Sequence, residues 1–129
     1  MLIEMLKSKI HRAKVTKIQL YYSGSLSIDT ALMHAAHIYP YEKIDVYNMN
    51  NGQRFTTYAI PADAGVICVN GAAARLANPG DEIIIASYCI LNKKELPHYK
   101  PTIIILDENN HIIKGGKDRK GDKDKWQKL

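Results

Sequence analysis

A small β-barrel with minor helices is the fold this chain predicts. Many short apolar runs of strand length recur between regular turn signals, and only one or two segments carry a helical repeat. The longest aliphatic stretches, Ile83-Ile84-Ile85 and Ile103-Ile104-Ile105-Leu106, are strand-sized and far too short to span a membrane. With 129 residues, 46% of them hydrophobic and 24% charged, the chain has the composition of one globular domain with a real core.

The first strand is expected over residues 6–16. Two-residue alternation puts Lys9, His11, Ala13 and Val15 on one face and Ser8, Ile10, Arg12 and Lys14 on the other. By themselves, Lys9 and His11 read as a solvated strand face. A second run follows over residues 18–22, with Ile18, Leu20 and Tyr22 on one side. A helix is expected over residues 27–38. Ser27 is its candidate N-cap, Asp29 falls in the first turn, and Ile28, Ala31, Leu32, Ala35 and Ala36 form the apolar stripe.

Pro40 stops further helix, and residues 44–49 read as a strand. Asn50-Asn51-Gly52 signals a hairpin, because tight turns of the favoured hand need positive φ angles. The return strand covers residues 53–60 and is ended by Pro61. On it Arg54, Thr56, Tyr58 and Ile60 face one way; Gln53, Phe55, Thr57 and Ala59 face the other. Residues 66–69 form a buried-type strand running into Asn70-Gly71-Ala72-Ala73, a strand-to-helix junction by its pattern. Small residues there allow close backbone approach, and free amides at a helix start favour an anion. A short capped helix without a ligand accounts for the same residues. After a turn at residues 78–81, strands are expected over 82–91, 102–106 and 111–113.

The formal net charge is +5, but residues 114–129 hold seven Lys or Arg and three Asp, a balance of +4, leaving +1 for residues 1–113. A single barrel domain over 1–113 and a basic, disordered tail over 114–129 are therefore expected. The tail has one aromatic, Trp126, and the body lacks a basic face studded with aromatics, so no nucleic-acid partner is expected. Cys68 and Cys89 lie in β-like runs without metal-ligand spacing and read as small buried residues. The N-terminal residues lack the apolar core of a secretion signal, which makes the cytoplasm the expected address.

There is no phosphate-loop or dinucleotide glycine pattern. His34 and His37 are three apart on the expected helix, but no third ligand is placed to complete a metal site. Tyr22-Ser23-Gly24-Ser25 stands out as a Gly-Ser pair pinned between a strand and a helix. Such a pair is usually a turn, although glycine tolerates strained geometry and strain collects at working sites.

Four stretches taken together resemble the pyruvoyl-dependent aspartate 1-decarboxylase family. They are Met5-Leu6-Lys7-Ser8-Lys9-Ile10-His11-Arg12-Ala13-Lys14-Val15-Thr16, Tyr22-Ser23-Gly24-Ser25 with Ile28-Asp29 behind it, Asn51-Gly52-Gln53-Arg54-Phe55-Thr56-Thr57-Tyr58-Ala59-Ile60, and Val69-Asn70-Gly71-Ala72-Ala73-Ala74 followed by Gly80-Asp81. The likeness covers about the first hundred residues in order. It implies a mainly β fold, a small double-psi β-barrel with one or two short helices, assembled as a homo-tetramer with sites between subunits.

It also implies a chemistry. Decarboxylating an amino acid leaves a carbanion, for which no ordinary side chain is a good electron sink. In the family the chain is cut between Gly24 and Ser25, and Ser25 becomes a covalent pyruvoyl group that takes the amine of L-aspartate as a Schiff base. A β chain, 1–24, and an α chain, 25–129, stay associated. The resemblance assigns Tyr58 as proton donor and Thr57 as a processing and substrate-binding residue. It gives Lys9 and Arg54 the substrate's carboxylates, and Gly71, Ala72 and Ala73 a backbone contact with it. His11, Tyr22 and Asn70 support the same site. Arg54 suits a two-point clamp on a carboxylate. The product is β-alanine, for pantothenate and coenzyme A synthesis; neither metal nor pyridoxal phosphate is implied, and the need for a maturation helper is left open. Ser23 and Tyr47 depart from the Glu and Trp common in the family. The alternative is a barrel that keeps the motif without cleaving and acts as a binding or assembly module.

Overall fold

A computed structural model describes residues 1–115. Its strands are β1 Leu2–Lys14, β2 Lys17–Gln19, β3 Leu26–Asp29, β4 Lys43–Asn48, β5 Arg54–Ala62, β6 Ile67–Asn70, β7 Glu82–Asn92, β8 Thr102–Leu106 and β9 Ile112–Gly115. One α-helix, α1 Thr30–Ala36, and 3-10 turns at Gly71–Leu76 and Leu96–His98 lie between them. The strands join in the order β2-β6-β3-β5-β4-β7-β1-β8-β9. The expected mainly β, barrel-like fold with little helix is what forms. Residues 116–129 of the expected tail lie outside the described residues, and β9 carries the sheet past position 113 to Gly115.

One core fills the sheet. Ile10, Leu26, Ile28, Ile44, Val46, Ile67, Val69, Ile83, Ile85 and Ile104 are all buried in it. Each such side chain contributes about 1.5–3 kcal/mol on leaving water. The pairs β1/β8, β2/β6 and β3/β5 are parallel. Parallel neighbours cannot be joined by a tight turn, so the chain crosses over itself to build them. That crossing brings β3 between β5 and β6, where the site forms.

Several boundaries differ from expectation for local reasons. The helix does not begin at Ser27. Leu26 and Ile28 point into the core and β3 is paired on both edges, so strand wins until Asp29, which caps α1 by accepting from the Ala31 amide at 2.8 Å. The run before Gly24 is strand only over β2; residues beyond Gln19 turn, with the Tyr22 amide donating to the Gln19 carbonyl at 3.3 Å. Ile18, Leu20 and Tyr22 thus share no strand face. Pro61 lies inside β5, opposite Ile28, rather than ending it. In the hairpin only Gly52 takes a positive φ, 75°.

In β1, irregularities between Leu6 and Ser8 and between Ile10 and Ala13, with Arg12 at φ 66°, break the simple alternation. Ala13 and Val15 are buried along with Ser8 and Ile10, while Lys9 and His11 stay half-exposed. Cys68 is buried as expected; Cys89 is only half-buried.

Asn110 closes the gap that β1 leaves past its irregular end. Its side-chain oxygen accepts from the Lys14 amide at 2.7 Å and its nitrogen donates to the Lys14 carbonyl at 2.9 Å. Asn110 is 4% exposed, so both partners depend on it. Asn110→Ala is expected to lower unfolding free energy by about 2–4 kcal/mol, read from the urea midpoint.

Candidate active site

Gly24 and Ser25 stand where the turn after β2 enters β3. Leu26 pairs with Ala59 of β5 and with Val69 of β6. One residue earlier, Ser25 is therefore flanked by Tyr58 and Asn70. Asn70 grips it twice: its amide donates to the Ser25 carbonyl at 3.0 Å, and its Nδ2 donates to Ser25 Oγ at 3.3 Å. The same Nδ2 donates to Ser27 Oγ at 2.9 Å, and Asn70 Oδ1 accepts from the Cys68 thiol at 3.1 Å. Asn70 was expected at a helix junction, yet its side chain caps nothing and turns to Ser25 instead.

The backbone here is strained. Ser25, 1% exposed, holds φ at 96°, and Gly24 holds 30°. A non-glycine residue kept in such a region costs about 1–3 kcal/mol, sustained by its surroundings. Gly71, at φ 65°, presses on this segment: a methyl group there would meet Gly24 Cα and N at 3.0 Å and the Tyr22 carbonyl oxygen at 3.2 Å. Hydrogen bonds hold Ser25 on its C-terminal side, whereas the Gly24 carbonyl accepts none among the described residues. The Tyr58 hydroxyl lies over Gly24, 3.6 Å from where a methyl would sit, and its ring tilts 35° to that of Tyr41 with centroids 6.3 Å apart.

Further along β5, Arg54 lays its guanidinium 4.1 Å from the centre of the Tyr47 ring. The Tyr47 and Tyr88 hydroxyls meet at 2.8 Å. That bond, with burial second, pushes the Tyr88 phenol up to about 12. Asp45, a neighbouring acid on β4, accepts from Thr56 at 2.6 Å, and Arg54 joins no ion pair among the described residues. A stacked, unpaired guanidinium is suited to a carboxylate from outside.

Lys9 lies in one ladder row with Ala86, Asp45 and Thr56, so it projects from the same side of the sheet as Thr56. Thr57, one residue out of phase with Tyr58, pairs with Ile44 and turns toward the barrel. Burial, then the charges of Lys9 and Arg12, pull the His11 pKa below 6.5 despite Glu82. The His11 Nδ1 atom is buried without a partner.

A family model described as aspartate decarboxylase matches residues 1–113. This chain belongs to the aspartate decarboxylase family. The chain is 53% identical over 116 residues to the aspartate 1-decarboxylase of Caldicellulosiruptor bescii, covering 88% of this chain and 91% of that one. Against the Syntrophus aciditrophicus protein of the same name, identity is 56% over 110 residues, with 84% and 95% covered. The Thioalkalivibrio sulfidiphilus protein, also so named, is 52% identical over 120 residues, with 92% and 95% covered.

Within one subunit of this family member, the fold gathers Tyr22, Gly24, Ser25, Tyr58, Asn70 and Gly71. Ala72 is exposed and Ala73 half-buried on the adjoining 3-10 turn. Lys9 and His11 lie on β1, elsewhere in the strand order. Between β3 and β1 in the sheet lie β5, β4 and β7, four strand steps or about 19 Å along the sheet. Ser27, Cys68, Tyr47 and Tyr88 were missed as parts of the network. Only strand register, which places Ser27 opposite Cys68, could have found the first two. A groove of about 300 Å³ at the end of α1, lined by Met33, His34, His37, Tyr39 and Pro61 among others, contains none of these residues.

His11 yields a pH test. Its folded pKa lies below the unfolded value, so the unfolded chain takes the proton first. The stability it lends is complete above about pH 6.5 and is lost as pH falls through the lowered value. His11→Gln should flatten the decline in thermal midpoint between about pH 7 and 5.5 relative to the parent chain.

Proposed function

We propose that this chain decarboxylates L-aspartate to β-alanine and carbon dioxide, for pantothenate and coenzyme A synthesis, after cutting itself between Gly24 and Ser25. One observation carries the reading. In a chain of this family, a buried serine sits at φ 96° with its hydroxyl and its carbonyl both held by Asn70. Strain and an unencumbered Gly24 carbonyl favour attack by the neighbouring hydroxyl.

Ser25 Oγ adds to the Gly24 carbonyl carbon, the peptide C–N bond breaks, and the hydroxyl proton ends on the freed amine. Removal of the Ser25 α-proton then breaks the Cβ–Oγ bond, releasing the Gly24 carboxylate and leaving dehydroalanine. Water adds, ammonia departs, and the α chain 25–129 begins with a pyruvoyl group. That group supplies the carbonyl electron sink that side chains lack. Gly71 leaves room for Gly24 ahead of the cut, because a Cβ there would meet Gly24 Cα and N at 3.0 Å.

The chain's own residues do the rest. Arg54 and Lys9 hold the two substrate carboxylates, and Gly71, Ala72 and Ala73 line the backbone side. Tyr58 delivers a proton to the carbon that lost carbon dioxide. Thr57 assists processing, while His11, Tyr22 and Asn70 complete the surroundings. A homo-tetramer whose sites take residues from two copies is part of this reading. No helix among the described residues is long and apolar enough to cross a membrane, and a cytoplasmic location is part of this reading.

Denaturing mass spectrometry of the purified protein should give a fragment ending at Gly24 and a complement whose first residue has lost its amino group. Ser25→Ala should give one whole, inactive chain; a whole parent chain that borohydride and aspartate fail to label would overturn the reading. Tyr58→Phe should cut normally and lose about 10²–10⁴-fold in kcat, measured as β-alanine formed. Unchanged turnover removes Tyr58 from the proton-donor role.

A further inference from the structure

We infer that Cys68 is a positioning residue for self-cleavage: its thiol fixes which end of the Asn70 carboxamide faces Ser25. The inference deepens the proposed function and rests on it. Cys68 is 1% exposed and lies two positions before Asn70 on β6, hence on the same face, directly opposite Ser27. Asn70 therefore has three side-chain partners, the Cys68 thiol at 3.1 Å, Ser27 Oγ at 2.9 Å and Ser25 Oγ at 3.3 Å.

Two of these cannot orient the amide. A hydroxyl both donates and accepts, so Ser25 and Ser27 satisfy either end of the carboxamide equally. The thiol favours one end: it donates to Oδ1 at 3.1 Å, and sulfur is only a weak acceptor for the amide N–H. Burial raises the Cys68 pKa, which keeps the proton on sulfur and the donor in place. With Oδ1 committed to Cys68, both Nδ2 hydrogens face the serines.

That orientation matters at a particular step. When the ester between Gly24 and Ser25 eliminates, the Cβ–Oγ bond breaks and Oγ becomes an oxygen of the departing Gly24 carboxylate, carrying new negative charge. A donor already aimed at Oγ stabilises that charge; an amide turned the other way would repel it. Cys68 touches no reacting atom and acts through Asn70.

The test follows cleavage in purified, initially uncut chain by the appearance of fragment 1–24, with hydroxylamine used to trap ester. Cys68→Val fills the space but removes the donor. It should slow release of the fragment about tenfold and raise the hydroxylamine-sensitive fraction by more than its drop in thermal midpoint accounts for. Cys68→Ser, whose hydroxyl satisfies either end of the carboxamide, should leave the rate below the parent's and no lower than the valine variant's. If the valine variant loses fold, Cys68→Ala serves in its place. Equal rates in the parent, serine and donor-less chains overturn the role of Cys68 while leaving the proposed function standing. A slowing that only matches the drop in midpoint from variant to variant also overturns it. A parent chain that never releases 1–24 overturns both.

Discussion

The hold of Asn70 on Ser25 is the constraint on which the site depends. One residue at the end of β6 uses its main chain to fix the serine carbonyl and its side chain to fix the serine hydroxyl. The residue so held sits at φ 96°, a backbone state that a serine does not keep unaided. The strain is local, but its support is not. Strand β3 is paired on both edges, Leu26 and Ile28 are locked in the core, and Gly71 closes the back of the segment. A core built from side chains several strands away therefore maintains an unfavourable angle at a single peptide link.

The two halves of the proposed chemistry make different structural demands, and different parts of the fold meet them. Cleavage needs strain, burial and a hydroxyl next to an accessible carbonyl, and these meet at the junction of β3, β5 and β6. Substrate capture needs cations that remain uncommitted. Arg54 rests on the face of Tyr47 rather than on an acid, and the neighbouring Asp45 is occupied by Thr56. Stacking orients the guanidinium without neutralising it. The Tyr47 hydroxyl in turn meets that of Tyr88 at 2.8 Å.

The strand order of this fold could be read from the chain only as a succession of elements. Hydrophobic alternation and turn residues located nearly every strand, and Asn50-Asn51-Gly52 marked the hairpin. Three kinds of information were missing. Parallel pairing such as β3 with β5 is set by crossovers that leave no local trace. The start of the helix was misplaced because residues 26–29 suit either element, and pairing on both edges decided for strand. The bulges of β1 shifted which residues point inward, so Lys9 and Ala13 parted company. Ser25, Tyr58 and Asn70 of the candidate site were named only through likeness to a family. The physical basis of the site was not legible. The Cys68–Asn70–Ser27 chain of contacts depends on which residues oppose one another across β3 and β6, something that spacing along one strand cannot reveal.

The place of the Gly24–Ser25 link relative to β1 has a mechanical outcome. β1 lies between β7 and β8, with hydrogen-bonded neighbours along both edges. Severing the backbone after residue 24 frees an end without freeing the strand. For the short piece to leave, a long edge against β7 and a shorter one against β8 would have to open to water together. It thus resembles a lath woven through a basket, whose cut end can be reshaped while the weave stays shut.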